Sequence, residues 1–350
     1  MVTRGFRFVL VLVPAMSAAA ASVRADERWR VVVLHPQGAE SSDAEAAAGG
    51  WQGGNAEYGV ADHPILWRGD SKDFVDLLPE GCNNGKVNGM HGPWQVGHAT
   101  FNYIAQGILW RGTRESAKVL TPEGFSFSRA TAVHGDQQVG YVSGPRAALW
   151  YGTPESYVDL HPAGARQSSA NATDGQYQGG QAILSGQVHA VLWHGSAESY
   201  VDMHPEGATS STILGMADGV QAGRALFDGY DHALLWRGTP ESVIDLHPSY
   251  ARESWLYATT GTIHVGYIDN FAHAEAGFWV GDDPLSFFNL QDFLPEGWSR
   301  SAARGVSVGN GRVYVVGNAR APDGSGQALL WIGRIPRAAR DGGRVQRQAP

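Results

Sequence analysis

The sequence predicts an all-β protein: a seven-bladed β-propeller of four-stranded antiparallel blades, the last blade closed jointly by the N- and C-terminal segments. Three observations carry this. A unit of about 43 residues recurs along the chain, apolar and polar residues alternate within it, and the two chain ends carry complementary fragments of it.

The repeat is counted from a tryptophan. Trp67, Trp110, Trp150, Trp193, Trp236, Trp279 and Trp331 follow at steps of 43, 40, 43, 43, 43 and 52 residues. Eleven residues after the first five come Leu78, Thr121, His161, His204 and His247, each followed by proline. Seven further on stand Gly85, Ser128, Ser168, Ser211 and Ser254. Ten more bring Gln95, Gln138, Gln178, Gln221 and His264, and two more bring Gly97, Gly140, Gly180, Gly223 and Gly266. A fixed period of this size means a solenoid, a propeller or an array.

Residues 1–25 read as a secretory signal peptide. Arg4 and Arg7 open it, Phe8–Ala21 is largely apolar, and Val23-Arg24-Ala25 offers a cleavage site before Asp26. The run is shorter than the roughly 20 residues a spanning helix needs, and no later segment is apolar enough to span a bilayer. Secretion to an extracellular or periplasmic space is expected. Removal of the leader shifts the net charge from −8 to about −11, which argues against nucleic acid as a partner. The single cysteine, Cys82, leaves no internal disulfide, so stability must come from packing.

The propeller is expected over residues 26–333. Val31–Pro36 (VVVLHP) matches VIDLHP of the type unit, and His35 precedes Trp67 by the same 32 residues that separate His161 from Trp193. The chain thus begins mid-unit. It ends the repeat at Ala328–Gly333 (ALLWIG), the piece the opening fragment lacks. A linear solenoid gains nothing from split end units, whereas a ring joins them into one blade and removes its open edges.

Within a unit, Ser242–His247 alternates and reads as a strand; His232–Trp236, Ser254–Ala258 and Thr262–Ile268 read as three more, separated by turn residues. The glycine of the Gln-x-Gly strand recurs in all seven units, and its close backbone approach places that strand innermost, near the axis. The glutamines are expected to clamp between blades or line the channel, packing being the preferred role. In the last units, Asp292-Phe293-Leu294-Pro295 is aligned with the Asp-Leu-His-Pro segment. Residues 334–350 read as a disordered basic tail.

The seven tryptophans are expected to pack between blades. A buried indole hides about 150–250 Å², an upper estimate of roughly 4–6 kcal/mol. The pairs Asp159/His161, Asp202/His204 and Asp245/His247 invite a metal site, but ligands spread one pair per blade around a ring do not converge. They are expected to be structural, the aspartate accepting turn N–H groups and bonding the recurring serine. No metal and no cofactor are expected. His63, His189 and His232 occupy a second position, four before the tryptophan, where other units carry Gln106, Arg146, Glu275 and Gln327; a polar side chain is wanted there.

His-Ala-Val-Leu-Trp at 189–193 and His-Ala-Leu-Leu-Trp at 232–236, followed by an Asp-Leu strand, a serine and Gln-x-Gly, resemble the extracellular HAF repeat. The family's Phe is Val191 or Leu234 here, and its Asp-Leu-Gly is Asp-Leu-His-Pro. The resemblance covers nearly the whole mature chain and implies an exported, propeller-like protein with no catalytic residues to carry over.

Function is expected where the repeat breaks. Trp51, Trp94, Tyr177 and Tyr314 head the Gln/Gly strand where other units have Gln137, Val220 and Ile263. Exposed at a channel mouth, they would stack on sugars or other planar groups; buried, they are inter-blade core. Three functions stay open: an exported non-catalytic module binding a small ligand, glycan or protein; a carbohydrate-active hydrolase or lyase at the channel mouth; and a structural envelope module. The enzyme needs converging acids, for which Asp136, Asp174 and Asp269 are candidates. A monomer is expected.

Overall fold

The computed structural model describes residues 29–69 and 73–335. The leader (1–25) and all but two residues of the basic tail lie outside the described residues.

The described residues form seven antiparallel four-stranded sheets arranged as a ring, a seven-bladed β-propeller. The fifth blade shows the pattern: Ser210–Ala217, Val220–Phe227, Tyr230–Trp236 and Ile244–Asp245, in that spatial order. The third strand is the repeat's apolar segment. Ala233, Leu234, Leu235 and Trp236 are all buried, because blades cover it on both faces. All seven repeat tryptophans are fully buried. Each packs among residues of its own blade and the preceding one, as Trp236 does beside Leu192 and Met203. No helix among the described residues is long and apolar enough to cross a membrane.

The ring closes as the chain ends predict. Arg30–Val33 pairs antiparallel with Gly326–Gly333 and supplies the outermost strand of the blade whose other three strands come from the C-terminus. Trp29 anchors this seam against Phe278, Phe288 and Phe293, with ring centroids 5.3, 5.6 and 6.3 Å away.

Three expectations about the strands need correction. First, the serine strand, not the Gln-x-Gly strand, is innermost: the axial cavity is walled by segments such as Glu45–Gly49 and Thr131–His134. The glycines lie on the second strand, opposite a one-residue bulge in the innermost strand. A Cβ on Gly223 would fall 2.0 Å from the Thr212 carbonyl oxygen, and the other six meet the equivalent atom at 1.7–2.0 Å. The close approach is real, but its cause is the bulge. Second, the outermost strand is short. Its expected beginning is a 3₁₀ turn, Pro240–Ser242, and only Ile244–Asp245 pairs. Third, Asp292–Pro295 is not the Asp-Leu-His-Pro equivalent. Phe288–Asn289 is the strand, Leu290 N–H donates to the Ala276 carbonyl as Leu246 does to Ala233, and Gln291 stands where histidine does.

The glutamines clamp within a blade. Gln221 Oε1 accepts the Gly238 N–H at 2.8 Å and Nε2 donates to the Gly219 carbonyl at 3.0 Å. The recurring serine joins neighbouring blades. Ser254 Oγ accepts the Ala233 N–H at 2.9 Å, and Ser42, Ser128, Ser168, Ser211 and Ser301 make the same bond at 2.8–2.9 Å. Its hydroxyl meets histidine rather than aspartate. Ser211 Oγ lies 2.7 Å from His204 Nδ1, while His204 Nε2 lies 3.0 Å from the Ala208 carbonyl. A carbonyl only accepts, so the proton is on Nε2 and the serine donates to Nδ1.

The aspartates do accept a turn N–H, Asp202 Oδ1 taking that of His204 at 3.0 Å. Their other partner is the second histidine position: His189 Nδ1 to Asp202 and His232 Nδ1 to Asp245 are both 2.8 Å. Arg146 replaces histidine opposite Asp159, and Asn289 donates to Glu275 in the sixth blade. The two histidines also stack, His189 on His204 at 4.0 Å and 11°. Burial chiefly holds His161, His204 and His247 below the usual imidazole range.

Candidate functional site

The bulge that forces the glycine also builds the site. In each innermost strand one residue at the same place is left out of register with the second strand, and the seventh blade has a second irregularity between Ser299 and Ala302. These residues are Glu45, Asn88, Thr131, Asn171, Leu214, Tyr257 and Arg304, one per blade, each three positions after the recurring serine or its replacement Gly85. A bulge re-aims its extra residue out of the ladder, here toward the axis. All seven line a cavity of about 600 Å³ around the axis. That volume lies within the roughly 300–1,000 Å³ of small-molecule sites. The next residue is always alanine or glycine. At Gly215 a Cβ would come within 2.6 Å of the Tyr257 carbonyl oxygen of the next blade, so this is where neighbouring blades crowd the axis.

Four neighbouring bulge residues are engaged with adjacent blades. Glu45 accepts from Lys86 Nζ at 2.6 Å. Asn88 Nδ2 donates to the Ala130 carbonyl at 2.8 Å, Thr131 Oγ1 to the Ala170 carbonyl at 2.7 Å, and Asn171 Nδ2 to the Ile213 carbonyl at 2.9 Å. Leu214 with Met216 forms an apolar sector. On the far wall Arg304 lies over Tyr257, Cζ 4.1 Å from the ring centroid. Behind them Trp255 and Tyr267 stack at 5.9 Å and 26°, and Arg224 covers Trp255 at 3.9 Å. Burial raises the Tyr257 hydroxyl above its usual value. Burial opposes the Arg304 charge, but Tyr257, Glu45, Asp43 and Tyr267 outweigh it and raise its pKa. His91 and His134 close the opposite side, ring centroids 3.9 Å apart, and burial lowers His91 below the ordinary imidazole value.

The four sequence-selected aromatics are placed elsewhere. Trp51, Trp94, Tyr177 and Tyr314 are half-buried between consecutive blades, packing against four different core clusters, and none is in the cavity wall. Arg68 lies 5.6 Å over Trp51, Arg111 5.5 Å over Trp94, and the His194 ring 4.9 Å from Tyr177. Asp136, Asp174 and Asp269 are not brought together: Asp174 accepts the Gln176 and Tyr177 N–H groups of its own turn, and Asp269 pairs with Arg252. The cavity wall carries one carboxylate, Glu45. No group of three or more His, Cys, Asp or Glu converges among the described residues. Asp159, His161, Asp202, His204, Asp245 and His247 lie one pair per blade in the contacts given above. Burial pushes the half-buried Cys82 thiol up to about 11, away from the thiolate a nucleophile requires.

With this geometry established, the protein can be set beside known ones. No family model and no curated protein matches the chain. Solved structures do. The β-propeller domain of the Trilobed protease from Pyrococcus furiosus, described as having an open velcro topology, superposes with a TM-score of 0.56 at 9% identity, covering 85% of this chain and 96% of that one. YCF48 bound to D1 peptide gives a TM-score of 0.52 at 9% identity over 88% and 97%. At such identity the likeness is one of fold alone. It agrees with the seven-bladed ring and leaves the HAF resemblance resting on the residues quoted for it.

Proposed function

We propose that this protein is an exported, non-catalytic β-propeller of the HAF-repeat kind that binds a small ligand, or a side chain of a partner, in its axial cavity. One observation carries the reading. The scaffold positions recur from blade to blade, whereas the seven bulge residues that face the axis comprise an acid, two amides, a hydroxyl, an aliphatic, a phenol and a guanidinium. Packing alone repeats its solution in every blade; a wall of near-unique side chains on a repeated frame suits one asymmetric ligand. The apolar leader-like stretch at 8–21 supports export. A structural neighbour described as bound to a peptide is a reason to include peptides among the probes.

A glycan and peptide array on the purified mature protein tests this, run in parallel with Leu214→Trp, which fills the cavity from its apolar side. Binding by the wild type and loss in the variant is the expected result. Binding unaffected by Leu214→Trp would move the site off the axis. Trp51, Trp94, Tyr177 and Tyr314 stand at the head of the second strand, on the propeller face where the cavity's hairpins turn, packed between blades with Arg68, Arg111 and His194 against three of the rings; the array on Trp94→Ala tests whether a sugar stacks there.

A hydrolase or lyase of the two-carboxylate type needs a second acid across the cavity from the first. Glu45 stands alone there and is bound to Lys86, so the binding reading is the stronger one.

A further inference from the structure

Arg304 is the one lysine or arginine in the cavity wall. Among the described residues no carboxylate lies within 4.0 Å of it, and its Nε is buried without a hydrogen-bond partner. The nearby acids are committed elsewhere: Glu45 holds Lys86, and Asp43 accepts from Asn318. Other partly buried arginines differ in having an acid in contact: Arg224 has Asp231, Arg252 has Asp269 and Arg146 has Asp159. Glu45 and Asp43 offset the burial of this guanidinium only from a distance, so its hydrogen-bonding edge is left for an anion in direct contact.

We propose, building on the axial cavity as the binding site, that Arg304 receives the carboxylate of a small, singly charged ligand, with Tyr257 and the Leu214–Met216 sector against its ring or chain. The contacts of Arg304 select the class. It is the single cation of the wall, its Nε has no partner, and among the described residues no acid is in direct contact with it: Glu45 is held by Lys86 and Asp43 by Asn318. A carboxylate matches that charge and pairs with the planar fork side-on. A phosphate dianion would be under-neutralised by one guanidinium in a protein whose net charge is −8 with its leader and more negative without it. The neighbouring surfaces are neutral: Thr260 and Ser307 offer hydroxyls, Leu214 and Met216 apolar contact. Two sources share this chemistry, an acidic sugar and the free carboxyl end of a short peptide.

Calorimetric titration of the mature protein with D-glucuronate, D-glucose, N-acetylglycylglycine and inorganic phosphate, at matched ionic strength, tests the assignment. At least one carboxylate should bind, glucose should not, and Arg304→Gln should weaken the carboxylate about tenfold or more. Which carboxylate binds names the source. Should Arg304→Gln fail to fold by circular dichroism, Glu45→Gln carries the test: removing the acid beside Arg304 should tighten binding about two- to fivefold at low salt. Failure of both carboxylates to bind, glucose binding equal to glucuronate, phosphate binding more tightly than either, or affinity unmoved by the Arg304 and Glu45 changes would each overturn the proposal. An array ligand still lost in Leu214→Trp while both carboxylates fail would overturn the anion assignment alone. An array ligand insensitive to Leu214→Trp would overturn the cavity reading beneath it.

Discussion

Pro64 and Gly85 complement each other across the junction of the first two blades. In six junctions the Oγ of a serine in one blade accepts a backbone N–H from the third strand of the blade before it. At the seventh the donor position is Pro64, which has no N–H, and the serine position is Gly85. The proline ring fills the space: a Cβ on Gly85 would meet Pro64 Cδ at 3.1 Å and the His98 carbonyl oxygen at 3.0 Å. Donor and acceptor are absent together, so no buried group is left unpaired.

This junction lends itself to a double-mutant cycle. Pro64→Ala uncovers a buried N–H with no acceptor and should cost about 1–3 kcal/mol. Gly85→Ser alone places an unpaired hydroxyl against the proline ring and should cost about as much. The double variant rebuilds the bond of the other six junctions. It should therefore be more stable than the sum of the single losses by about 1–2 kcal/mol. Urea denaturation of the four proteins reads this directly; strict additivity would deny the complementarity.

The bulge glycines predict a contrast between two Gly→Ala changes. At Gly223 the new Cβ meets the Thr212 carbonyl oxygen at 2.0 Å, and only separation of the two inner strands would accommodate it. A loss of about 3 kcal/mol is expected. Gly309 sits at the end of an innermost strand with nothing within 4 Å of such an atom, and its replacement should stay within about 0.5 kcal/mol. Denaturant midpoints of the two variants separate these outcomes.

Buried imidazoles make the fold sensitive to acid. Burial, with Arg129 and Lys86 adding to it, lowers His98 to about 4; burial lowers His264 to about 4 against the opposing pull of Asp282. In the unfolded chain both take up a proton near 6.5. Between those values the unfolded state binds more protons, so stability declines as the pH falls from about 6.5 to about 4 and this contribution levels off below. The largest loss is about 3 kcal/mol per histidine. His264 occupies the position that five other blades give to glutamine, and its Nε2 is buried without a partner. His264→Gln should change stability by less than about 1 kcal/mol at pH 7.5 and make the protein relatively more stable than wild type at pH 4.5. Equal slopes of stability against pH would contradict this.

The ring itself was legible because recurrence records packing. The tryptophan, serine and glycine each return at a fixed offset and make the same contact in six or seven blades, and the glutamine completes its clamp in four. The split ends showed the closure. Two errors came from treating recurrence as geometry. Glycine at Gly54 or Gly223 signals a close approach, but period and residue type do not say whether an axis or a bulge causes it. Asp292-Phe293-Leu294-Pro295 imitates the repeat's letters, while Asn289-Leu290-Gln291 makes its hydrogen bonds. The cavity wall escaped notice for the opposite reason: Glu45, Asn88, Thr131, Asn171, Leu214, Tyr257 and Arg304 share an offset but vary in residue type, and only Asn88, Thr131 and Asn171 repeat one hydrogen bond, to the equivalent carbonyl of the next blade. A constant offset of three from the serine, occupied by near-unique residues, was the available signal.

Trp94 separates the two uses of the outer aromatics. Its ring lies half-buried beneath Arg111 and against the core that holds Val133 and Trp150 of the next blade. One face is therefore covered by a cation and the other by the neighbouring blade. A stacking residue needs a free face; a brace needs none. Trp94→Ala should remove the brace at a cost of about 2 kcal/mol, less than for a fully buried tryptophan, while array binding survives at temperatures where the variant is folded. Lost glycan binding with an unchanged denaturation midpoint would assign the stacking role to Trp94. It would then extend to Trp51, Tyr177 and Tyr314, because a sugar lying on that face meets the same strand position in each of those blades.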